Sequence, residues 1–398
     1  MSLNDTPRSN RLHIGIFGKR NSGKSSLINA ITGHETALVS EFAGTTADPV
    51  YKSMEIYGIG PCVLIDTAGF DDEGEIGQLR VEKTCEAAEK VDIALIVFGG
   101  DTVIESEKEW ITKFKKKNIP TVAVLNKSDL IGDVKSVSKY IENSIGIKPI
   151  VVSAKDKQGI EQIRTAIIRH LPEDYDAKTI TGGIVNDGDL ILLVMPQDIQ
   201  APTGRLILPQ VQTLRELLDK KCVVISATTD KLDEALQVLS KPPAVIITDS
   251  QVFKMVYEKK PKESKLTSFS VLFAGYKGDL DYYTKSVEAI ENLTENSSVL
   301  IAEACTHAPL PEDIGREKIP KLLRKKIGDK LTIDIVSGTD FPDDLSKYDL
   351  IIQCGACMFN RKYVLSRIER ARNQSVPMSN YGVVIAYMSG ILDKISLN

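Results

Sequence analysis

The sequence predicts an α/β protein of three domains, and three observations carry that prediction. Short, continuously apolar runs alternate with helical patterns over most of the 398 residues, the rhythm of βαβ units whose strands are buried on both faces. Two stretches interrupt the rhythm: LPEDYDAKTITGG at residues 171–183, which combines Pro, acidic residues and a Gly pair, and KKPKES at residues 259–264; both read as boundaries. A phosphate-loop pattern, GKRNSGKS at residues 18–25, lies between the first apolar run and the first helical pattern. The expected plan is an N-terminal P-loop domain with a mostly parallel sheet (11–171), a linker (172–183), a small middle α/β domain for association (184–264) and a C-terminal α/β domain (265–398).

In the first block the strand candidates are LHIGIF, VYKSMEIY, CVLID, DIALIVF, TVAVLN and PIVVSA. VYKSMEIY alternates apolar and polar residues and is followed by the turn GIGP. It is therefore expected to pair antiparallel with CVLID at a sheet edge. The second block runs DLILLVMP, a helix around Val211, CVVISA, the helix DKLDEALQVLS and AVIITD; it has no phosphate loop and no clustered ligand residues. The third starts with TSFSVLFAG and continues through SSVLIAEAC, LTIDIVSG and DLIIQCGAC, each an apolar run. YGVVIAYMSGIL, from Tyr381, reads either as a buried C-terminal helix or as an apolar docking surface.

Composition excludes several classes. Hydrophobic residues at 42%, charged residues at 26% and a formal net charge of −4 fit a soluble globular chain and give no electrostatic case for nucleic acid or acidic lipid. The N-terminal MSLNDTPRSNR has no apolar signal core, and the longest apolar stretch is too short to span a bilayer. A cytoplasmic protein without a membrane or nucleic-acid partner is expected. Six cysteines are spread along the chain; Cys62, Cys85 and Cys222 are isolated and read as packing residues.

The phosphate loop supplies Gly18, Asn21, Ser22, Gly23, Lys24, Ser25 and Ser26. Backbone amides and the helix end surround phosphate oxygens, Lys24 neutralises the terminal phosphates and Ser25 ligates Mg²⁺. DTAG at residues 66–69 places Asp66 to hold Mg²⁺ through water and the Gly69 amide to face the terminal phosphate, while Thr46, with Thr45 beside it, is a candidate for closing over the metal. NKSD contributes Asn126, Lys127 and Asp129, whose carboxylate accepts two N–H bonds from guanine and so selects GTP over adenine nucleotides. SAK, with Ser153, Ala154 and Lys155, adds a contact to the base. These motifs all fall at the C-terminal ends of predicted strands, where such sheets bind ligands.

On these residues the first domain resembles the translation-factor-type GTPases of the Era and MnmE group over nearly all of residues 11–171. The resemblance implies GTP hydrolysis with Lys24, Thr46 and Gly69 in the catalytic set. Phe70 stands after DTAG where Ras-like enzymes carry a water-orienting glutamine, so hydrolysis is expected to be slow. Asn21 matches the asparagine that binds K⁺ in MnmE-like GTPases, which implies turnover faster in K⁺ than in Na⁺.

The third block carries EACTHAP, with Cys305 and His307, and, 49 residues on from Cys305, QCGAC with Cys354 and Cys357. Met358 after the second cysteine rules out haem attachment. By residue type a Cys₃His zinc site, an iron–sulfur cluster on three thiolates and a thiol redox pair stay open. The order of GTPase domain, α/β module, C-x-H and C-x-x-C resembles the [FeFe]-hydrogenase maturation GTPase family HydF over essentially the whole chain. That resemblance implies a homodimer assembled through the middle domain, with a [4Fe-4S] cluster on Cys305, Cys354 and Cys357. It also implies a scaffold, or chaperone, that receives a diiron precursor from radical-SAM maturases and delivers it to apo-[FeFe]-hydrogenase. Gln353 stands where the family often has a histidine, leaving His307, Glu303, Glu312 or solvent for the fourth iron. A tRNA-modification or ribosome-assembly GTPase with structural zinc, and a GTP-gated thiol redox protein, are the competing readings.

Overall fold

The structure, a computed structural model, describes residues 8–32, 49–56, 60–70, 75–100, 103–171, 179–197, 206–304 and 313–397. Of the expected site residues, Thr46, Cys305 and His307 lie outside the described residues, as do Thr45 and Glu312. The chain divides into two compact units, one of residues 4–175 and one built from residues 176–398.

The first unit is one sheet of β1 (Leu12–Gly18), β2 (Val50–Ile56), β3 (Gly60–Asp66), β4 (Ile93–Phe98), β5 (Thr121–Leu125) and β6 (Ile150–Val151). Its order is β2-β3-β1-β4-β5-β6. All pairs are parallel except β2 with β3, whose register runs from Val50 opposite Asp66 to Ile56 opposite Gly60. The alternating sequence of β2 and the unbroken apolar runs of β1 and β4 thus have the outcome their patterns predict: β1 and β4 are buried throughout, while β2 is exposed at Val50, Ser53 and Glu55. One face packs Ile14, Ile16, Leu27 and Ile163; the other packs Phe17, Ile96, Trp110 and Phe114.

The second unit contains two four-stranded sheets. The middle one joins β7 (Leu190–Val194), β8 (Val223–Ala227), β9 (Val245–Thr248) and β10 (Lys265–Ser268) in the order β10-β9-β7-β8, all parallel. The last one joins β11 (Ser298–Ala302), β12 (Thr332–Val336), β13 (Leu350–Gln353) and β14 (Met378–Asn380) in the order β12-β11-β13-β14, also parallel. One continuous core serves both: Leu192, Val194, Ile246 and Phe253 belong to the same cluster as Leu300, Ile301, Ile351 and Ile352.

Details differ from the sequence expectation at the boundaries. β10 begins one residue past 264, so the middle sheet takes its fourth strand from beyond the expected division. TSFSVLFAG is not a strand: its start completes β10, and Phe269–Lys277 is a helix with Ser268 as its N-cap, the serine oxygen accepting from the Val271 amide at 3.2 Å. An apolar run buried on every side has no period to betray which element it forms. Tyr381–Met388 is likewise a buried helix, with Val383, Val384 and Ala386 fully enclosed, so YGVVIAYMSGIL is core and not a docking face. Cys62 and Cys222 are buried as expected, but Cys85 is exposed on the helix Glu75–Ala88.

Residues at the end of the expected linker pack into the middle domain. Ile180 and Thr181 are buried, and the Glu216 carboxylate accepts the amides of both and, at 2.6 Å, the Thr181 hydroxyl. Charge-assisted bonds to buried amides are the expensive kind to lose. Glu216→Ala is expected to destabilise this unit by about 2–3 kcal/mol in urea unfolding, and an unchanged midpoint would show that the segment is not held there.

Candidate nucleotide and thiol sites

The phosphate loop is held together by its own lysine. Lys24, on the first turn of the helix Lys24–Thr32, is buried, and its Nζ donates to the carbonyls of Gly18 at 2.9 Å and Lys19 at 2.8 Å. Asn21 is exposed, with a left-handed φ of 60°. The Ser22 hydroxyl is buried with no hydrogen-bond partner among the described residues, which fits a loop shaped for an anion. Ser26 is exposed at the start of the helix.

Asn126 bridges two of the loops. It is buried at the end of β5, its amide nitrogen donates to the Ser22 carbonyl at 3.1 Å, and its amide oxygen accepts from Ala154 N at 3.0 Å. One side chain therefore ties the phosphate loop to the SAK loop. Gly23 has to be glycine here, because at φ of 89° its Cβ would stand 2.3 Å from Asn126 Nδ2. Asp129 is exposed, and the buried Ser153 hydroxyl is shared between its carboxylate at 2.9 Å and that of Asp156 at 3.0 Å. Lys127 takes a left-handed φ of 60°, and Lys155 is exposed. Asn126→Ala is expected to weaken nucleotide binding at least tenfold, read by titration calorimetry, because both loops lose their shared clamp. Unchanged affinity would mean that the loops hold themselves.

Ser25 Oγ donates to Asp66 Oδ2 at 2.7 Å, so the two expected Mg²⁺ groups already meet. Burial raises the Asp66 carboxyl above its usual range, against the Ser25 hydrogen bond and the charges of Lys24 and Lys52. Lys52 is a residue that the sequence reading missed. Its amine is buried on β2 with no hydrogen-bond partner among the described residues, and burial lowers its pKa while Asp66 opposes the shift. The one available signal was a lysine inside a half-buried edge strand. Because the folded unit binds the Asp66 proton more tightly than the unfolded chain does, metal-free stability contributed by this group falls as pH rises through the carboxylate range. Asp66→Asn is expected to flatten that slope in chelator-containing unfolding curves between about pH 4 and 7. An identical slope in both proteins would exclude Asp66 as its source.

Phe70, directly after DTAG, stacks on Trp110 with ring centroids 5.2 Å apart and planes 17° from parallel, and Trp110 stacks in turn on Phe17 of β1. Where a hydrolytic glutamine would be, this chain has an aromatic plug. Trp110 is the single tryptophan of the sequence. Its emission is therefore expected to change between GDP and a non-hydrolysable GTP analogue, and Phe70→Ala to abolish that change; equal spectra in both nucleotide states would contradict the coupling.

The second site lies at the C-terminal edge of the last sheet. In the β11–β13 register Ala302 pairs with Gln353, so the strand leading to Cys305 and the strand leading to Cys354 end side by side. Cys354 N donates to Ala302 O at 3.0 Å, and Cys354 Sγ accepts from Ala304 N at 3.0 Å and Ala356 N at 3.4 Å. Ala304 precedes Cys305 in sequence. Burial pushes the Cys354 thiol up to about 11, the Ala356 amide opposing. Ala356, between the two cysteines, is held at φ of 49°, a left-handed conformation that costs alanine free energy. Cys357 does not open the following helix: Arg361–Asn373 starts four residues later behind the N-cap Asn360.

The surroundings suit an anionic group held on thiolates. Lys277 is buried, and its Nζ donates to the carbonyls of Ala356, Cys357 and Phe359 at 3.4, 3.2 and 2.6 Å. Burial lowers its pKa to about 8, and the two cysteines pull it back up. Gln353 Oε1, Tyr283 OH and Tyr381 OH are buried with no hydrogen-bond partner among the described residues. Glu303, an expected candidate for the fourth iron, is engaged elsewhere: its Oε2 accepts from Arg316 Nε and Nη2 at 3.1 and 2.9 Å and from Ser337 Oγ at 3.2 Å. Among the described residues no group of three or more His, Cys, Asp and Glu side chains is placed to hold a metal ion.

Residues 13–127 match the 50S ribosome-binding GTPase family, residues 180–278 the hydrogen maturase F dimerization domain and residues 281–397 the hydrogen maturase F tetramerization domain. Among curated proteins, the chain is 39% identical over 163 residues to the tRNA modification GTPase MnmE of Endomicrobium trichonymphae, covering 40% of this chain and 35% of that protein. It is 36% identical over 182 residues to MnmE of Heliobacterium modesticaldum, covering 45% and 37%. The chain thus spans about a third of the length of these relatives. Among solved structures it is similar to Era of Aquifex aeolicus, with a TM-score of 0.37, 19% identity and coverage of 57% of this chain and 98% of that one. A second is the NFeoB protein of S. thermophilus, with a TM-score of 0.33, 20% identity and coverage of 40% and 62%. No helix of the described residues is long and apolar enough to cross a membrane.

Proposed function

Because the chain belongs to the hydrogen maturase F family, carrying both of its oligomerisation domains behind a GTPase domain, we propose that it is a GTP-hydrolysing scaffold for hydrogenase maturation. In this reading Cys305, Cys354 and Cys357 hold a [4Fe-4S] cluster, and the protein assembles or delivers the diiron precursor of apo-[FeFe]-hydrogenase after radical-SAM maturases supply it. GTP and Mg²⁺ occupy the N-terminal unit, with Lys24 on the terminal phosphates, Ser25, Thr46 and Asp66 around the metal, the Gly69 amide at the terminal phosphate and Asp129 on guanine. The cluster, when bound, supplies an iron site to which cargo can bridge; the chain supplies thiolates, amides and buried cations.

The observation that carries the reading is the Ala304 amide donating to Cys354 Sγ at 3.0 Å across the β11–β13 register. It draws the residue before Cys305 onto the C-x-x-C sulfur, and amide donors to sulfur favour the thiolate that iron needs. Anaerobic metal analysis is the test: about four iron and four sulfide per chain are expected of a cubane cluster. Zinc instead would support a structural site in a tRNA- or ribosome-directed GTPase, and neither metal would support a thiol redox protein; each outcome overturns the cluster.

The dimerization family match encloses the 184–264 segment expected to mediate a homodimer, and the tetramerization match covers the last sheet. We infer a dimer assembled through the middle sheet that can pair again. For the GTPase, we infer that Asn21 is the K⁺ ligand. Turnover is expected to be slow and severalfold faster in K⁺ than in Na⁺, with Asn21→Ala removing the difference; a wild-type rate indifferent to the alkali cation would contradict the assignment.

A further inference from the structure

Two cations are buried around the C-x-x-C loop, and among the described residues neither forms an ion pair with a carboxylate. Lys277 and Arg367 are each 1% exposed. Lys277 spends its donors on loop carbonyls and lies 5.9 Å from the Phe273 ring. Arg367 donates from Nη2 to the Gly338 carbonyl and is enclosed by Phe341, Phe359 and Tyr363, with ring centroids 4.6–4.9 Å from its central carbon. Its Nε and Nη1 are buried with no hydrogen-bond partner among the described residues. Among the described residues the carboxylates near this edge are engaged elsewhere: Glu303 is bound to Arg316, Asp279 to Arg372, and Asp313 accepts the Gly315 and Arg316 amides. Burying an unbalanced charge is expensive, and two in one neighbourhood is more so. Such an arrangement is tolerable when the site's ligand is itself anionic.

We propose that Lys277 and Arg367 form a built-in cationic frame for the group bound at Cys354 and Cys357: Lys277 is a positioning residue that holds the strained loop, and the two charges together favour a net-negative occupant and its reduced form. The inference rests on the cluster reading and goes beyond it, because the frame makes the charge of the occupant, and not merely the thiol count, a selection criterion. Around Ala356 at its left-handed φ, the Lys277 ammonium reaches the carbonyls of residues 356, 357 and 359 from one point, beside the Phe359 amide that donates to the Ala356 carbonyl. The cation also lies close enough to both cysteines to feel them electrostatically, as Arg367 does Cys354.

The test compares wild-type full-length protein with Lys277→Met, which keeps length and apolar volume, after anaerobic reconstitution with iron and sulfide. Iron content, the electron paramagnetic resonance spectrum of the dithionite-reduced protein and the one-electron midpoint are read on the same samples, with far-ultraviolet circular dichroism and GTP turnover as controls of folding. Removing a buried positive charge disfavours the more negative, reduced state. Lys277→Met is expected either to lose most of the iron while keeping its fold, or to keep the iron and become at least tenfold harder to reduce, a shift of about 59 mV to lower potential. Full iron with an unchanged spectrum and midpoint would overturn the proposal. Should Lys277→Met fail to fold, Arg367→Lys and Arg367→Gln carry the same comparison: the charge-retaining variant is expected to keep the wild-type midpoint and the neutral one to lower it, and equal midpoints would overturn the frame. Wild-type protein that takes up no iron removes the cluster reading itself, a failure distinct from either.

Discussion

Parallel strands all end on one edge of their sheet, and this constraint decides where chemistry can sit in each unit. In the first unit, β1, β3 and β5 deliver the phosphate loop, DTAG and NKSD to a common edge, and Asn126 locks two of the resulting loops by hydrogen bonds of 3.1 and 3.0 Å. In the second unit the same geometry brings the ends of β11 and β13 together, so that Ala304 N meets Cys354 Sγ. Neither site is made by one segment. Each depends on register, and a slip of one residue would turn the pairing residues to the opposite face.

Much of this was legible because strand burial leaves a strong sequence trace. Six expected strands of the first domain appear as β1 to β6, including the reversed edge strand, since alternation and unbroken apolarity report different surroundings. Boundaries were less legible. Ser268 ends β10 and caps the next helix at once, a dual role that no periodicity announces. The roles of polar residues were the least legible of all. Asn126 was legible as part of NKSD but not as a bridge between loops, Phe70 stacks on Trp110 at the position where Ras-like enzymes carry glutamine, and Lys52, Lys277 and Arg367 carried no motif. Their importance lies in burial, which depends on what the rest of the chain packs around them.

The thiol site also changes how Gln353 is understood. It is 1% exposed, with Oε1 unsatisfied among the described residues, and it pairs with Ala302 and Asn380 in the middle of the sheet. Asn380 on its far side donates to the Cys354 carbonyl at 3.2 Å. This position therefore belongs to the wall of the site. Together with the Tyr283 and Tyr381 hydroxyls it gives the edge buried polar atoms, and with Lys277 and Arg367 it gives a positive, polar lining near the two cysteines. Fixed charges and dipoles of this kind tune a bound group without touching it covalently.

The central claim is that the β11–β13 edge holds a cluster through Cys354 while the nucleotide chemistry belongs to the other unit. The most direct test measures iron retention and GTP turnover on one preparation of Cys354→Ser after anaerobic reconstitution. The account predicts that the cluster signal and most of the iron are lost while GTP turnover stays within about twofold of wild type. Full iron with an unaltered cluster spectrum in Cys354→Ser would contradict it.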